Sequence, residues 1–172
     1  KGNGADEDSQ NGQTWFLLRD HGRTFDAAVS SGLASGVNFS ANGRAEYVQQ
    51  ERVGAGFFHL LGIAPQLGRE FSAEEDRTGG PGVVVLSHHF WQRSFRSDPG
   101  AIGRVVVLRG KPNVVVGVMP AELVTPGSAD LWTPLQASTS GEGEDENYRV
   151  ILRLRPGATW PQAIAEVVAL GQ

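Results

Sequence analysis

Three short valine-rich runs, Val83–Leu86, Val105–Leu108 and Val114–Val118, commit this chain to building part of its core from β-sheet. β-Branched side chains lose little freedom when held extended and pack well on a pleated surface. Val83–Leu86 shows no polar alternation, the pattern of a strand covered on both faces. The other two runs flank Arg109-Gly110-Lys111-Pro112-Asn113 and read as a hairpin. A second hairpin is predicted from Val37–Ser40 and Ala45–Val53 around Ala41-Asn42-Gly43, because Asn-Gly supplies the positive φ angles of a tight turn. With 23 glycines and 9 prolines in 172 residues, many turns and short elements are expected, not a bundle of long helices.

Helices are expected where capping residues precede apolar clusters. Thr14 precedes Trp15, Phe16, Leu17 and Leu18; Phe57–Leu61 is closed by Gly62, suited to a left-handed cap. Ser72 and Glu75 match a capping box and predict a helix of one or two turns. Ser87 caps a helix with Phe90, Trp91, Ser94 and Phe95 mainly on one side. Thr159 and Gln162 form another box, followed by a stripe of Trp160, Ala163, Ile164, Val167 and Val168 that is expected to pack on the preceding strand. In that strand Tyr148, Val150, Leu152 and Leu154 alternate with Arg149, Ile151, Arg153 and Arg155, which predicts one buried and one solvated face. Phe25–Ser35 is open between helix and strand, and Asp130–Leu135 is extended. Lys1–Gln13 reads as a flexible linker and Gly141–Glu146 as a solvated acidic loop. The order of elements suggests an α+β domain whose first and last segments fold together around an inserted, β-rich subdomain.

Several function classes fit poorly. A net charge of -4 and a pI near 5.5 are unlike the basic footprint of a nucleic-acid binder. The absence of cysteine removes thiolate chemistry and Cys-type zinc sites, without choosing a redox compartment. No apolar run approaches the ~20 residues of a membrane span, and no signal peptide opens the chain. Gly54-Ala55-Gly56 lacks the third glycine of a dinucleotide loop, position 59 being His59. His88 and His89 are adjacent on a helix, about 100° apart rather than at ligating spacing, and His21 and His59 are isolated. Glu74, Glu75 and Asp76 are explained as a helix's first turn. Arg149, Arg153 and Arg155 make a basic stripe that reads as a solvated sheet face. Trp91 and Trp132 are expected to anchor the core. No catalytic, cofactor-binding or metal-binding residue is assigned.

Taken together, a series of segments resembles the MacB-like periplasmic core domain of ABC transporter permeases, in the style of acidobacterial members. It runs through Val53–Gly62, Leu67–Phe71 with Glu74–Asp76, Val84–Ser87, Trp91–Phe95, Asp98-Pro99 with Ile102–Arg104, Val114–Pro120 and Asp130–Leu135, and resumes at Leu152–Thr159. The resemblance implies a porter-like βαβ subdomain from residues 14–53 and 131–172, after a linker over 1–13, with an inserted β-rich subdomain at 54–130. It implies a non-catalytic extracytoplasmic domain of an inner-membrane protein, coupling cytoplasmic ATP hydrolysis to transport or mechanotransmission without a cofactor. The implied partners are the ATPase, the permease's own membrane helices and a periplasmic adaptor, in a dimeric full-length protein that does not bind nucleic acid; partner-binding residues do not transfer. A free-standing ligand-binding α+β protein is the alternative. Two positions depart from the family's habit: Arg109-Gly110 stands where Asn-Gly is common, leaving the turn type open, and Ala55-Gly56 replaces a common Gly-Asn.

Overall fold

The computed structural model describes residues 9–125, 127–141 and 147–171. The elements run β1 (Ser9–Gln10), α1 (Gly12–His21), β2 (Phe25–Ser30), β3 (Ser35–Ala41), β4 (Arg44–Val53), α2 (Phe57–Leu61), β5 (Leu67–Gly68), β6 (Val83–Leu86), α3 (His88–Phe95), β7 (Val105–Leu108), β8 (Lys111–Val118), β9 (Leu131–Pro134), β10 (Tyr148–Leu154) and α4 (Trp160–Leu170). The mixed α+β class expected from the sequence is the class observed.

One continuous hydrogen-bonded sheet has two differently shaped parts. At one end β1, β10 and β2 lie side by side, all antiparallel. From there β4, β3, β7, β8, β6 and β9 follow in order, and β9 pairs back onto β4. Those six strands therefore close into a small barrel, which leaves no open edge among them. A single bridge, Ser30 opposite Val53, joins the two parts of the sheet.

The barrel interior is dry. Val37, Phe39, Val48, Val84, Leu86, Val106, Leu108, Val115 and Leu131 point inward, and α3 plugs one end with Phe90, Trp91 and Phe95. Phe39, Phe90 and Phe95 meet edge to face, with ring centroids 5.1 to 6.4 Å apart, a favourable arrangement for aromatic quadrupoles. Ser87 caps α3 as expected, accepting from the Phe90 N–H at 3.1 Å. The outward side chains of the same strands, Val83, Val85, Val116 and Trp132, form a second core with Phe57, Phe58 and Phe71. Val83–Leu86 is thus buried on both faces, and Trp91 and Trp132 are core anchors, at 9% and 1% exposure.

α1 and α4 cover one face of the terminal sheet. Trp15, Leu18, Phe25, Val29 and Ala163 are buried there against Val150, Leu152 and Leu154. Glu166 fastens α4 to the chain leaving α1, accepting from the Arg23 and Thr24 N–H groups at 2.8 and 2.9 Å.

Several expectations need correction. Of the stretch expected as a linker, residues 1–8 lie outside the described residues, but Ser9 and Gln10 pair with β10 and Gly12 opens α1. Strand addition uses main-chain groups that leave no mark in hydropathy. The α1 cap is Asn11, which accepts from the Thr14 N–H at 2.8 Å, rather than Thr14 itself. Phe25–Ser30 is a strand. The Ser72–Glu75 box closes on a turn and no helix follows, because Glu75 and Asp76 are held by other segments and Gly79-Gly80-Pro81-Gly82 cannot sustain a helix. The acidic loop at 142–146 lies outside the described residues. On the face of β10 expected to be solvated, Arg153 and Arg155 are exposed, but Arg149 is half-buried and Ile151 packs against the second core, so that face borders the barrel at its start. On α4 only Ala163 is buried, while Trp160, Ile164 and Val168 remain 58%, 60% and 56% exposed. A three-stranded sheet is too narrow to cover that whole stripe.

Both tight hairpins use the same turn. Asn42 and Gly43 have φ of 52° and 76°; Arg109 and Gly110 have 50° and 77°. Two central residues with positive φ define a type I′ turn, so Arg109 occupies the position for which Asn is better suited. Lys111, Pro112 and Asn113 already belong to β8. Pro112 is tolerated because β6 joins β8 only from Val114 onward, so no partner strand needs its missing N–H.

Candidate functional site

The residues that sequence reasoning examined for chemistry do not converge. His21, His59 and His89 are exposed and separate, whereas His88 is half-buried beside Trp91 and takes a 2.7 Å hydrogen bond with Gln66. Among the described residues no three His, Cys, Asp or Glu side chains are grouped to hold a metal ion. Gly54-Ala55-Gly56 is a connection from β4 into α2, where a Cβ on Gly54 would come within 2.7 Å of Val29 Cγ1. Glycine there allows the close approach.

What the structure does assemble is a clasp at the crossing between barrel and terminal sheet. The chain leaves β4 through Gly54 and Ala55, and returns from β9 through Leu135 and Gln136. Asp76 spans the two crossings: one carboxylate oxygen accepts from the Ala55 N–H and the other from the Gln136 N–H, both at 2.8 Å. Gln136 has a φ of 52°, a conformation that persists in a non-glycine residue only when its surroundings over-determine it. Here its side-chain amide donates to the carbonyls of Glu75 and Gly80, both at 3.1 Å. The clasp also ties Gly54 N–H to the Val29 carbonyl at 2.8 Å and Leu135 N–H to that of Val53 at 2.9 Å.

Glu75 steadies this loop from inside. It receives a bidentate pair from Arg69 at 2.8 and 2.7 Å, and the Ser72 N–H at 2.9 Å. The Arg69 guanidinium lowers the Glu75 pKa to about 2 against the resistance of burial. For Asp76 burial dominates and raises the pKa above the usual carboxylate value, although the Ala55 and Gln136 amides oppose it.

A third acid lies deeper in the seam. Glu51, 2% exposed on β4, accepts from the Trp132 indole N–H at 3.2 Å. Burial raises its pKa, offset in part by Trp132 and by the positive charge of Arg149 on β10. β4, β9 and β10 thus meet at one buried carboxylate. Asp76, Gln136 and Glu51 carry this junction, and sequence reasoning assigned none of them a role; Asp76 was visible only as one of three consecutive acids, and its partners lie 21 and 60 residues away.

The arrangement holds the two crossings together. Its carboxylates accept from backbone amides, a guanidinium and an indole N–H. Outside the junction lie, among other surfaces, the exposed apolar residues of α4 and a cleft of about 400 Å³ between α3 and residues 120–125 and 128–130 that reaches down to Trp132. Among the described residues no helix is long and apolar enough to cross a membrane.

The family model of the MacB-like periplasmic core domain matches residues 5–170. Among solved structures, the periplasmic region of MacB from Actinobacillus actinomycetemcomitans superposes with a TM-score of 0.73 at 16% identity, covering 96% of this chain and 74% of that one. The extracellular domain of the noncanonic ABC-type transporter YknZ from Gram-positive bacteria gives 0.66 at 15%, over 94% and 80%. A domain assigned to a permease protein from Porphyromonas gingivalis gives 0.70 at 16%, over 96% and 77%. Comparison with curated protein sequences gives no match. Identities this low carry the fold and not an activity.

Proposed function

The chain belongs to the MacB-like periplasmic core domain family, and from that membership we propose that it is the non-catalytic, extracytoplasmic body of an ABC transporter permease, coupling cytoplasmic ATP hydrolysis to transport or mechanotransmission. The observation that carries this reading is the family match across residues 5–170. The geometry supports it: the first and last described segments, β1-α1-β2 and β10-α4, interleave in one small sheet, so displacement of either end is delivered to a single unit.

Within this proposal residues 14–53 and 131–172 are the porter-like unit and 54–130 the inserted one, with β3, β4 and β9 also completing the barrel. The barrel, plugged and closed, moves as a body. The Asp76 clasp passes the motion on, because it ties the inserted unit at Ala55 and Asp76 to the porter-like unit at Gln136, while the Glu51 seam holds β4, β9 and β10 together within the latter. The partners in this reading are an ABC ATPase, the permease's membrane helices, a periplasmic adaptor and a second copy of the permease.

The test uses the full-length gene product. It is expected to fractionate with the inner membrane, and Asp76→Ala is expected to lower transport while leaving the basal ATPase rate of the complex intact. Recovery of the wild-type product as a free periplasmic protein would instead favour a free-standing ligand binder, and unchanged transport in the variant would refute coupling through the clasp.

A further inference from the structure

We propose that the open end of the barrel, opposite the α3 plug, binds a short peptide with a free carboxylate. The inference rests on the barrel's own geometry and stands apart from the permease reading. α3 closes the end where β6 finishes and β9 begins. At the other end the strands leave a cleft of about 520 Å³, inside the ordinary range for small-ligand sites, which occur at the mouths of barrels.

Gln50 lies at the floor, on the inward face of β4 two residues beyond Val48. The side chain is 92% buried, at 8% exposure, and its Nε2 donates to the hydroxyl of Thr133, itself 7% exposed. The opposite end of the carboxamide, Oε1, is buried with no hydrogen-bond partner. An unmade bond at a buried carbonyl costs about 1–3 kcal/mol, so this atom calls for a donor. Gln50 itself lines the cleft, and its soft terminal torsion lets the carboxamide turn toward an entering donor in exchange for the bond to Thr133.

One stretch of the wall cannot donate from its main chain. Pro81, Pro112 and Pro134 line the cleft and have no N–H. Asn113 gives one of its two side-chain N–H groups to the Lys111 carbonyl at 3.0 Å, and its carbonyl oxygen is a second acceptor at the cleft. A ligand that brings its own N–H groups meets both acceptors, Gln50 Oε1 and Asn113 Oδ1. The rim has the opposite requirement. Arg109 and Lys111 border the cleft, no Asp or Glu lines it, and neither cation forms an ion pair among the described residues. In a chain of net charge -4, that is a local positive mouth. N–H donors on the inside, apolar contact with Leu108 and the prolines, and a carboxylate at the rim describe a peptide C-terminus. The cleft holds about two or three residues.

The probe is tri-alanine, titrated into the ¹⁵N-labelled 172-residue chain, with tri-alanine amide as its uncharged counterpart. Saturable shifts are expected at Gly82, Gly110, Asn113, Thr133 and the Gln50 side-chain amide, with the amide peptide binding several-fold more weakly. Gln50→Leu, which fills the floor with an apolar group of similar size, should abolish the shifts. The surface double variant R109E/K111E, which does not touch the core, should weaken binding roughly ten-fold through loss of charge-assisted contacts. The proposal fails if shifts at the mouth do not saturate at about 10 mM peptide, the range of weak sites. It fails equally if Gln50 exchanges only with water, or if both variants bind as the wild type does.

Discussion

The barrel and the terminal sheet are built from strands of similar make-up and end in opposite conditions. Phe90 in the barrel plug is 0% exposed, whereas Ile164, at an equally apolar position of α4, is 60% exposed. Closure makes the difference. Six strands joined in a ring enclose their own interior, and a single helix suffices to stopper it. Three strands that do not close on themselves present a surface that two helices only partly cover, and β10 is half-buried along most of its length. The barrel is therefore expected to be the stable body of the molecule and the terminal sheet its compliant part.

The largest effect should come from the plug. Phe90→Ala removes a side chain in contact with Phe39 and Phe95 and is expected to cost about 3–5 kcal/mol, against less than about 0.5 for Trp160→Ala on the exposed face of α4. Urea denaturation measures both, and equal costs would break the contrast between the two regions. Next comes the clasp that joins them. Asp76→Ala leaves the Ala55 and Gln136 N–H groups without their carboxylate and should cost about 2–4 kcal/mol. Amide exchange should accelerate at those two positions well beyond the change at Val84 in the barrel.

The two buried acids of the junction should respond to pH with opposite sign. Glu75 has a lowered pKa, about 2, so its contribution is present above the ordinary value of 4.5 and is lost as pH falls toward 2. Arg69→Ala should flatten that acid limb, by roughly 1–2 kcal/mol once the exposure of Arg69 is discounted. Glu51 has a raised pKa, so its stabilising contribution is complete below the ordinary carboxylate value and is lost as pH rises through the raised one. Glu51→Gln keeps an acceptor for Trp132 and should stabilise the fold at pH 7 by about 1 kcal/mol, a gain that disappears in acid. Stability curves against pH for the two variants would show whether the seam or the clasp governs the junction. The smallest effect concerns the barrel's own turn. Arg109→Asn matches the residue to the positive φ already adopted at Asn42 and should add about 0.5 kcal/mol, read as a rise in the urea midpoint.

How far the sequence went can be judged residue by residue. Val83–Leu86, the two hairpins, the Ser87 cap and the left-handed Gly62 were legible because each depends on sterics and hydrogen bonds within a few neighbouring positions, though the turn type at Arg109-Gly110 was not. The same local logic misread Ser72–Glu75: the capping hydrogen bonds form, but the helix they announce does not, since Glu75 and Asp76 serve Arg69, Ala55 and Gln136. Likewise the stripe on α4 is present, yet periodicity says only that a face is apolar and not that anything covers it.

What the amino-acid order determined alone, then, was the identity of most elements and the mixed α+β class. Tertiary structure decided the closing of β9 onto β4, the plugging of the ring by α3, and the junction at Asp76, Gln136 and Glu51. These depend on pairs such as Gln50 with Thr133 and Glu51 with Trp132, 83 and 81 residues apart. Such contacts form only when the rest of the barrel has already brought the strands together, so no short window of sequence contains them.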